Sequence, residues 1–180
     1  MDIESWDSVF VRARRRDVHP VLRDPVTYGQ WWPGVGSEPA KGGARLILSP
    51  PRLGARALLR RQPIDVRIVK DRTNLGIDLH YRGALEGAAE WFYLDEPTGI
   101  TVHYLLRARV PDRGWRRTLA DHRAVVRAAL HELKDRFEGD RTPGAEPDAQ
   151  LLDDQRAAIA EFEAGVEAWA RRQAAEQAEG

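Results

Sequence analysis

The sequence contains no cysteine. This absence excludes disulfide bonds, thiolate metal sites and a cysteine nucleophile. It fits a reducing compartment, and we expect a cytoplasmic protein. Long apolar runs are missing as well, since no stretch approaches the roughly 18 apolar residues that span a bilayer. We therefore predict no integral membrane segment.

An excess of charge of one sign is also missing. Lys and Arg total 28, and so do Asp and Glu, so the chain gives no electrostatic reason to expect nucleic acid as a partner. The two charges are unevenly placed, however: residues 139–180 carry ten acidic and four basic side chains. This acidic end can lie on the basic remainder of the chain, pair with a second copy, or form a solvated helix.

The familiar catalytic motifs are absent too. Gly34-Val35-Gly36 does not continue as a dinucleotide fingerprint, and there is no phosphate-binding loop or Gly-x-Ser-x-Gly elbow. His131-Glu132 lacks the second histidine of a zinc-binding helix. We therefore expect no cofactor and no metal.

Alternating apolar and polar residues dominate the chain from residue 44 to residue 110. This period of two predicts an antiparallel sheet with one dry face. A first strand is predicted at 8–13, followed by two short helices that end before Trp32. Residues 34–43 are predicted to form a flexible loop able to gate a pocket, and residues 50–62 an irregular connection or a strand extension. The aromatic and aliphatic residues on the dry face include Tyr81, Trp91, Tyr93, Tyr104 and Leu106.

Two helices are predicted in the last third of the chain. Residues 116–138 place Leu119, Val126 and Leu133 on one stripe, with His122 on the same inward side. After a Pro- and Gly-containing linker at 139–150, a second helix fills most of the acidic end at 151–180. Leu152, Ile159 and Val166 recur there every seven residues, as do Gln155, Phe162 and Trp169. These two series form an apolar seam along the helix, which spans only about two and a half heptads and is short for a coiled coil.

These elements combine into one domain at 1–138. A sheet with one dry face needs a cover, and the helix at 116–138 is long and apolar enough to provide it. Such a helix rarely fills the hollow of a curved sheet, so we expect a cavity at one end.

Four stretches resemble the START-like (SRPBCC) superfamily and, within it, the polyketide cyclase/dehydrase-like branch. They are VFV at 9–11 with VLRDP at 21–25, WWPG at 31–34, LEGAAEW at 85–91 with VHY at 102–104, and LHELKDRF at 130–137. The resemblance covers residues 5–138. It implies an α+β helix-grip fold, in which a curved antiparallel sheet wraps round a long helix and encloses a hydrophobic-ligand pocket. The acidic C-terminal helix is additional to that pattern.

The inward-facing residues supply the candidate site. A ligand can contact aromatic rings whose polar tips orient its oxygens, and His122 can act as an acid, a base or a hydrogen-bond partner. Plain core packing is the alternative for each residue. His80 and His103 are expected on the surface. The ligand-binding candidates are Trp32, Tyr81, Trp91, Tyr93, Tyr104, Leu106, His122 and Val126, and the catalytic candidates are His122, Tyr93 and Tyr104.

Three functions remain open, because a fold alone does not decide among them. The first is binding of a small hydrophobic molecule, such as a lipid or a polyketide-like compound. The second is a cyclase or dehydratase that acts on a polyketide intermediate. The third is a protein-interaction module whose C-terminal helix recruits a partner or forms a homodimer.

Overall fold

The computed structural model describes residues 1–49, 62–142 and 144–179. Seven strands in these residues form one antiparallel sheet with the order β1-β7-β6-β5-β4-β3-β2. The strands are β1 (Asp2–Val11), β2 (Val35–Ala40), β3 (Gly43–Leu48), β4 (Gln62–Arg72), β5 (Gly76–Gly83), β6 (Glu86–Glu96) and β7 (Gly99–Arg109).

The helices follow the predicted order. After β1 come α1 (Arg15–Leu22), a short 3-10 helix (Pro25–Thr27) and α2 (Tyr28–Trp31), and after β7 come α3 (Trp115–Glu138) and α4 (Ala149–Glu179). The prediction of a helix-grip fold with an added C-terminal helix is confirmed. None of the helices in the described ranges combines the length and the apolar character that crossing a membrane requires.

The strand register aligns the inward residues. Trp91 on β6 pairs with Tyr104 on β7, and Tyr104 pairs in turn with Asp7 on β1. Their side chains are buried on the face that α3 covers, together with six residues of α3. The dry face predicted from the alternation is therefore the core face of the sheet. The buried residues of α3 are His122, Val125, Val126, Ala129, Leu130 and Leu133.

Two local predictions are wrong. Residues 34–43 are not a gating loop, because β2 and β3 form a hairpin in which Ala40 pairs with Gly43. Ser37 fixes this hairpin to the short helices: its hydroxyl accepts a hydrogen bond from the Gly29 amide and donates one to the Val26 carbonyl. The first strand is longer than predicted and starts at Asp2. The segment predicted at 50–62 lies outside the described residues, apart from the start of β4.

The first turns of α4 lie on the body of the protein. Asp148 caps the helix by accepting a hydrogen bond from the Leu151 amide at 3.0 Å. The Gln155 side chain is buried and donates to the carbonyls of Glu96 and Gly99 at the turn between β6 and β7. The acidic end therefore docks on its own body at its beginning, which is one of the alternatives left open by the charge pattern.

Candidate functional site

Three polar side chains meet in the space between the sheet and α3. The hydroxyls of Tyr81 and Tyr104 are hydrogen-bonded at 3.2 Å, and the Tyr104 hydroxyl lies 3.0 Å from Nε2 of His122. All three side chains are buried. We call them the central polar cluster. The structure thus brings together three of the residues predicted for the site.

The cluster forms because two periodicities converge. Tyr81 lies on the inward face of β5 and Tyr104 on that of β7, as the alternation in each strand requires. His122 is four residues before Val126 on α3, so both point to the same side of the helix.

Burial sets the protonation state of the cluster. Loss of solvation lowers the pKa of His122 to about 4 and raises the pKa of Tyr81 to about 12. It also raises the pKa of Tyr104 well above its usual value. At neutral pH the cluster therefore consists of an uncharged imidazole and two protonated phenols.

Three buried polar atoms in this region lack a hydrogen-bond partner among the described residues. They are Nδ1 of His122, Nε1 of Trp91 and the hydroxyl oxygen of Ser5, which lies on the inward face of β1. Buried polar groups are normally satisfied, so each open position needs an explanation, such as a bound group or water.

Aromatic rings extend from the cluster towards α2. Trp91 lies 4.7 Å from Tyr104 between ring centroids, and Trp32 lies 5.9 Å from Trp91. The indole of Trp32 donates a hydrogen bond of 2.7 Å to the Val125 carbonyl and so ties α2 to α3. Leu106 and Val126, the remaining apolar candidates, are both buried in the same core.

Tyr93 belongs to a different group. Its hydroxyl lies 3.1 Å from Nδ1 of His19 on α1, and Nε2 of the same imidazole lies 2.9 Å from the Asp71 carboxylate. Burial raises the pKa of Tyr93. The sequence prediction did not include His19 or Asp71, because no spacing in the chain connects α1 with β4.

Asp7 is a second buried polar residue that the prediction missed. Its carboxylate accepts hydrogen bonds from Arg123 and Arg127 on α3. Burial alone would raise the pKa of Asp7, but the two guanidinium groups outweigh it and lower the pKa below the usual value. Polar residues at inward positions of β1 hide the alternation, which is why this strand was predicted too short.

His103 corrects another expectation. It does point away from the core, but its ring is buried between Trp6 and Phe92 on the outer face of the sheet. Nδ1 accepts a hydrogen bond of 3.0 Å from the Trp6 indole.

A cavity formed by described residues lies outside the space between the sheet and α3. It is an open groove of about 690 Å³ between α4 and the region around α1 and the β4–β5 turn. Within the described residues, no group of three or more His, Asp or Glu side chains is arranged to hold a metal ion. The predicted pocket lining instead consists of side chains that pack against one another.

Solved structures with the same architecture include proteins of the START class. The chain matches a START superfamily protein from Mycobacterium smegmatis with a TM-score of 0.57 and 14% identity, over 76% of this chain and 97% of that one. It matches the Zhui aromatase/cyclase from a Streptomyces species with a TM-score of 0.55 and 17% identity, over 81% and 100%. A protein from Thermus thermophilus matches with a TM-score of 0.59 and 16% identity, over 78% and 100%.

These matches show that the chain has the START-like helix-grip fold, as the resemblance predicted. At this level of identity the likeness concerns the fold. The sequence matches no protein-family model and no curated protein sequence.

Proposed function

We propose that this protein binds a small hydrophobic molecule between the sheet and α3, with His122 as the contact for a polar atom of that molecule. The observation that carries the proposal is the buried Nδ1 atom of His122, which has no hydrogen-bond partner among the described residues. Nε2 of the same ring is held by Tyr104. One side of the imidazole is thus fixed by the protein, while the other is available to a ligand.

The position of Ser5 supports the assignment of His122 as a ligand contact. Where Ser5 lies relative to α3 follows from the contacts between β1 and α3. Lys134 donates to the Phe10 carbonyl, and Arg127 donates to the Asp7 carboxylate. The two elements therefore run in the same direction. Seven helix residues rise about 10.5 Å and three strand residues about 10 Å, so α3 and β1 advance by the same distance between these two contacts.

The same spacing places Ser5 beside the part of α3 that contains His122. Asp7 bonds to both Arg123 and Arg127, and Ser5 lies two strand residues earlier, a distance of about 6.6 Å that corresponds to four or five residues of the helix. Ser5 is therefore level with residues 118–123 of α3. A ligand group with a donor and an acceptor, such as a hydroxyl beside a carbonyl, can satisfy both positions.

The chemistry of the region favours an uncharged, flat ligand. A neutral imidazole and two phenols offer hydrogen bonds but no charge to offset a buried carboxylate, whose desolvation is costly. Trp32, Trp91 and Tyr104 provide aromatic faces on which a planar ring system can pack. The Zhui protein is an aromatase/cyclase, and the shared fold favours a hydroxylated aromatic ketone as the ligand class here.

Binding is expected to move aromatic side chains, because those in this region pack against one another. A suitable probe is 1,8-dihydroxyanthraquinone, with palmitate as the lipid alternative. We expect the quinone to bind and to change the near-ultraviolet circular dichroism of the protein. Native mass spectrometry of the purified protein gives an independent view of any ligand that accompanies it.

Two variants test the role of His122. His122→Leu is expected to weaken binding of the quinone roughly tenfold, the usual size of one lost hydrogen bond in a buried site. Tyr93→Phe is the matched control, since Tyr93 bonds to His19 instead, and its affinity is expected to stay within about twofold of the parent. If neither probe binds and no ligand accompanies the protein, the proposal fails. Equal affinity in the parent and His122→Leu removes His122 from the site.

A cyclase or dehydratase activity is the second candidate, favoured by the neutral imidazole beside a phenol. A base that is uncharged at pH 7 can accept a proton from a ligand carbon or hydroxyl, and a protonated phenol can donate to the developing oxyanion. The test compares cyclised products formed from a nascent poly-β-ketone chain by the parent, His122→Ala, Tyr104→Phe and Tyr93→Phe. Products unchanged by all three variants would exclude these side chains from catalysis.

A further inference from the structure

The second half of α4 carries an apolar stripe that the described residues leave exposed. Phe162, Val166 and Trp169 are 65%, 46% and 57% exposed. Their spacing of four and three residues places them on one side of the helix. A helix of 31 residues is about 46 Å long, and its buried residues, Leu151 and Gln155, both lie in the first two turns.

Gly165 adds an independent observation to the stripe. It lies three residues after Phe162, on the same side of the helix, and it lines the groove. A Cβ atom added to Gly165 would meet no atom of the described residues within 4 Å, so none of these residues requires a glycine at this position. Glycine is unfavourable in the interior of a helix relative to alanine. A close approach by another helix would explain why a side chain is missing here.

The groove beside the stripe has one apolar wall and one wall of arginines, here called the basic wall, whose charges are partly balanced by Asp95 and Asp154. Phe162 and Trp169 form the first, and the start of α1 contributes Arg14 and Arg16 to the second. Both arginines bond to the same oxygen of Asp154, and the Arg16 side chain is 61% exposed. Arg16 is therefore the residue of this wall that is exposed enough to contact a further carboxylate. Residues 160–179 carry five acidic and two basic side chains.

We propose that the occupant of this groove is α4 of a second copy of the chain, which forms a twofold dimer. The stripe is complementary to itself, because in an antiparallel pair Phe162 of each helix meets Trp169 of the other and Val166 lies near the axis. The seven-residue recurrence along the seam is the period that paired helices use. The acidic second half of each α4 then lies close to the basic wall of the other copy.

Sedimentation equilibrium of the full-length chain provides the first test. We expect twice the chain mass of 20.4 kDa at micromolar concentration. The double variant Phe162→Glu and Trp169→Glu is expected to weaken the dimer roughly 100-fold. The matched control places the same charges at Ala160 and Ala164, which lie on the opposite side of α4 and are exposed, and it should keep the dimer. A monomeric parent, or a dimer that survives in the double variant, overturns the proposal.

Crosslinking tests the geometry of the pair. Because the chain has no cysteine, a single introduced thiol can form a disulfide only between two copies. Val166→Cys is expected to crosslink rapidly under mild oxidation, whereas Ala164→Cys is expected to remain reduced. Equal crosslinking of the two variants would show that the stripe does not meet itself.

Discussion

The Tyr104 hydroxyl lies 3.0 Å from Nε2 of His122 in a part of the protein that solvent does not reach. This bond joins β7 of the sheet to α3, and the proposed ligand lies between these two layers. It also holds one nitrogen of the imidazole, so the ring presents its other nitrogen in a fixed direction. Burial lowers the pKa of His122 to about 4, so above that pH the ring is neutral in the folded protein.

The lowered pKa of His122 predicts a loss of stability in acid. An unfolded histidine has a pKa of about 6.5, so between pH 6.5 and pH 4 the unfolded chain binds a proton that the folded protein does not. The free energy of unfolding therefore falls as the pH falls through this window. We expect His122 alone to account for a decrease of roughly 2 kcal/mol between pH 7 and pH 5.

Urea unfolding of the parent and of His122→Gln at pH 7, 6 and 5 measures this contribution. The variant lacks the titrating ring but keeps the other ionisable groups, so the difference between the two pH profiles belongs to His122. We expect the two curves to converge towards acid pH. Parallel curves would mean that the imidazole is protonated in the folded state at pH 5.

Much of the sheet and α3 could be predicted because apolar residues mark their buried faces. Ile77, Leu79 and Tyr81 alternate without interruption, and all three are buried. The polar parts of the site could not be found in this way. Ser5 occupies an inward position that an apolar residue normally fills, so the alternation that would reveal it is broken.

The β2–β3 hairpin was missed for a related reason. Gly36 and Pro39 are typical of loops, and both disfavour strands. The hydrogen bonds of Ser37 to the short helices, together with pairing to β3, override that local preference. The pairing of His19 with Asp71 joins residues 52 positions apart, and no periodicity within one element can report it.

Asp7 is expected to be important for holding α3 against β1. Its buried carboxylate accepts hydrogen bonds from both Arg123 and Arg127, and hydrogen bonds to charged groups contribute about 1.5 to 3 kcal/mol each. Asp7→Asn keeps the shape of the side chain but removes its charge, so we expect the free energy of unfolding to fall by about 2 kcal/mol. Chemical denaturation at pH 7 measures it.

Asp2 on the same strand provides the control for Asp7. It forms an ion pair with Arg109 in which both side chains are well exposed. Exposed pairs of this kind contribute little. Asp2→Asn is therefore expected to change the free energy of unfolding by less than about 0.5 kcal/mol. Similar losses in the two variants would show that Asp7 has no special role.

The bond from Trp32 to the Val125 carbonyl predicts a specific cost at the contact of α2 with α3. Trp32→Phe removes the indole donor from a buried bond of 2.7 Å and leaves a smaller ring in its place. We expect the free energy of unfolding of the variant, measured by chemical denaturation, to be lower by about 2 kcal/mol or more. Trp115→Phe, at the half-buried start of α3, is expected to lose less. A larger loss at Trp115 would contradict this assignment.

Gln155 is predicted to decide whether the start of α4 stays on the body. Its buried amide donates to two carbonyls of the β6–β7 turn, those of Glu96 and Gly99. Gln155→Leu puts an apolar side chain against those carbonyls and leaves them desolvated, which is costly. We expect faster hydrogen exchange in the first three turns of α4, while exchange in β6 and β7 stays slow.

Gln177→Leu is the control for Gln155→Leu. It makes the same change of side chain at an exposed position near the end of the same helix, and it is expected to leave exchange at residues 151–160 unaltered. If Gln155→Leu also leaves those amides protected, the salt bridges of Asp154 with Arg14 and Arg16 are sufficient to dock the helix.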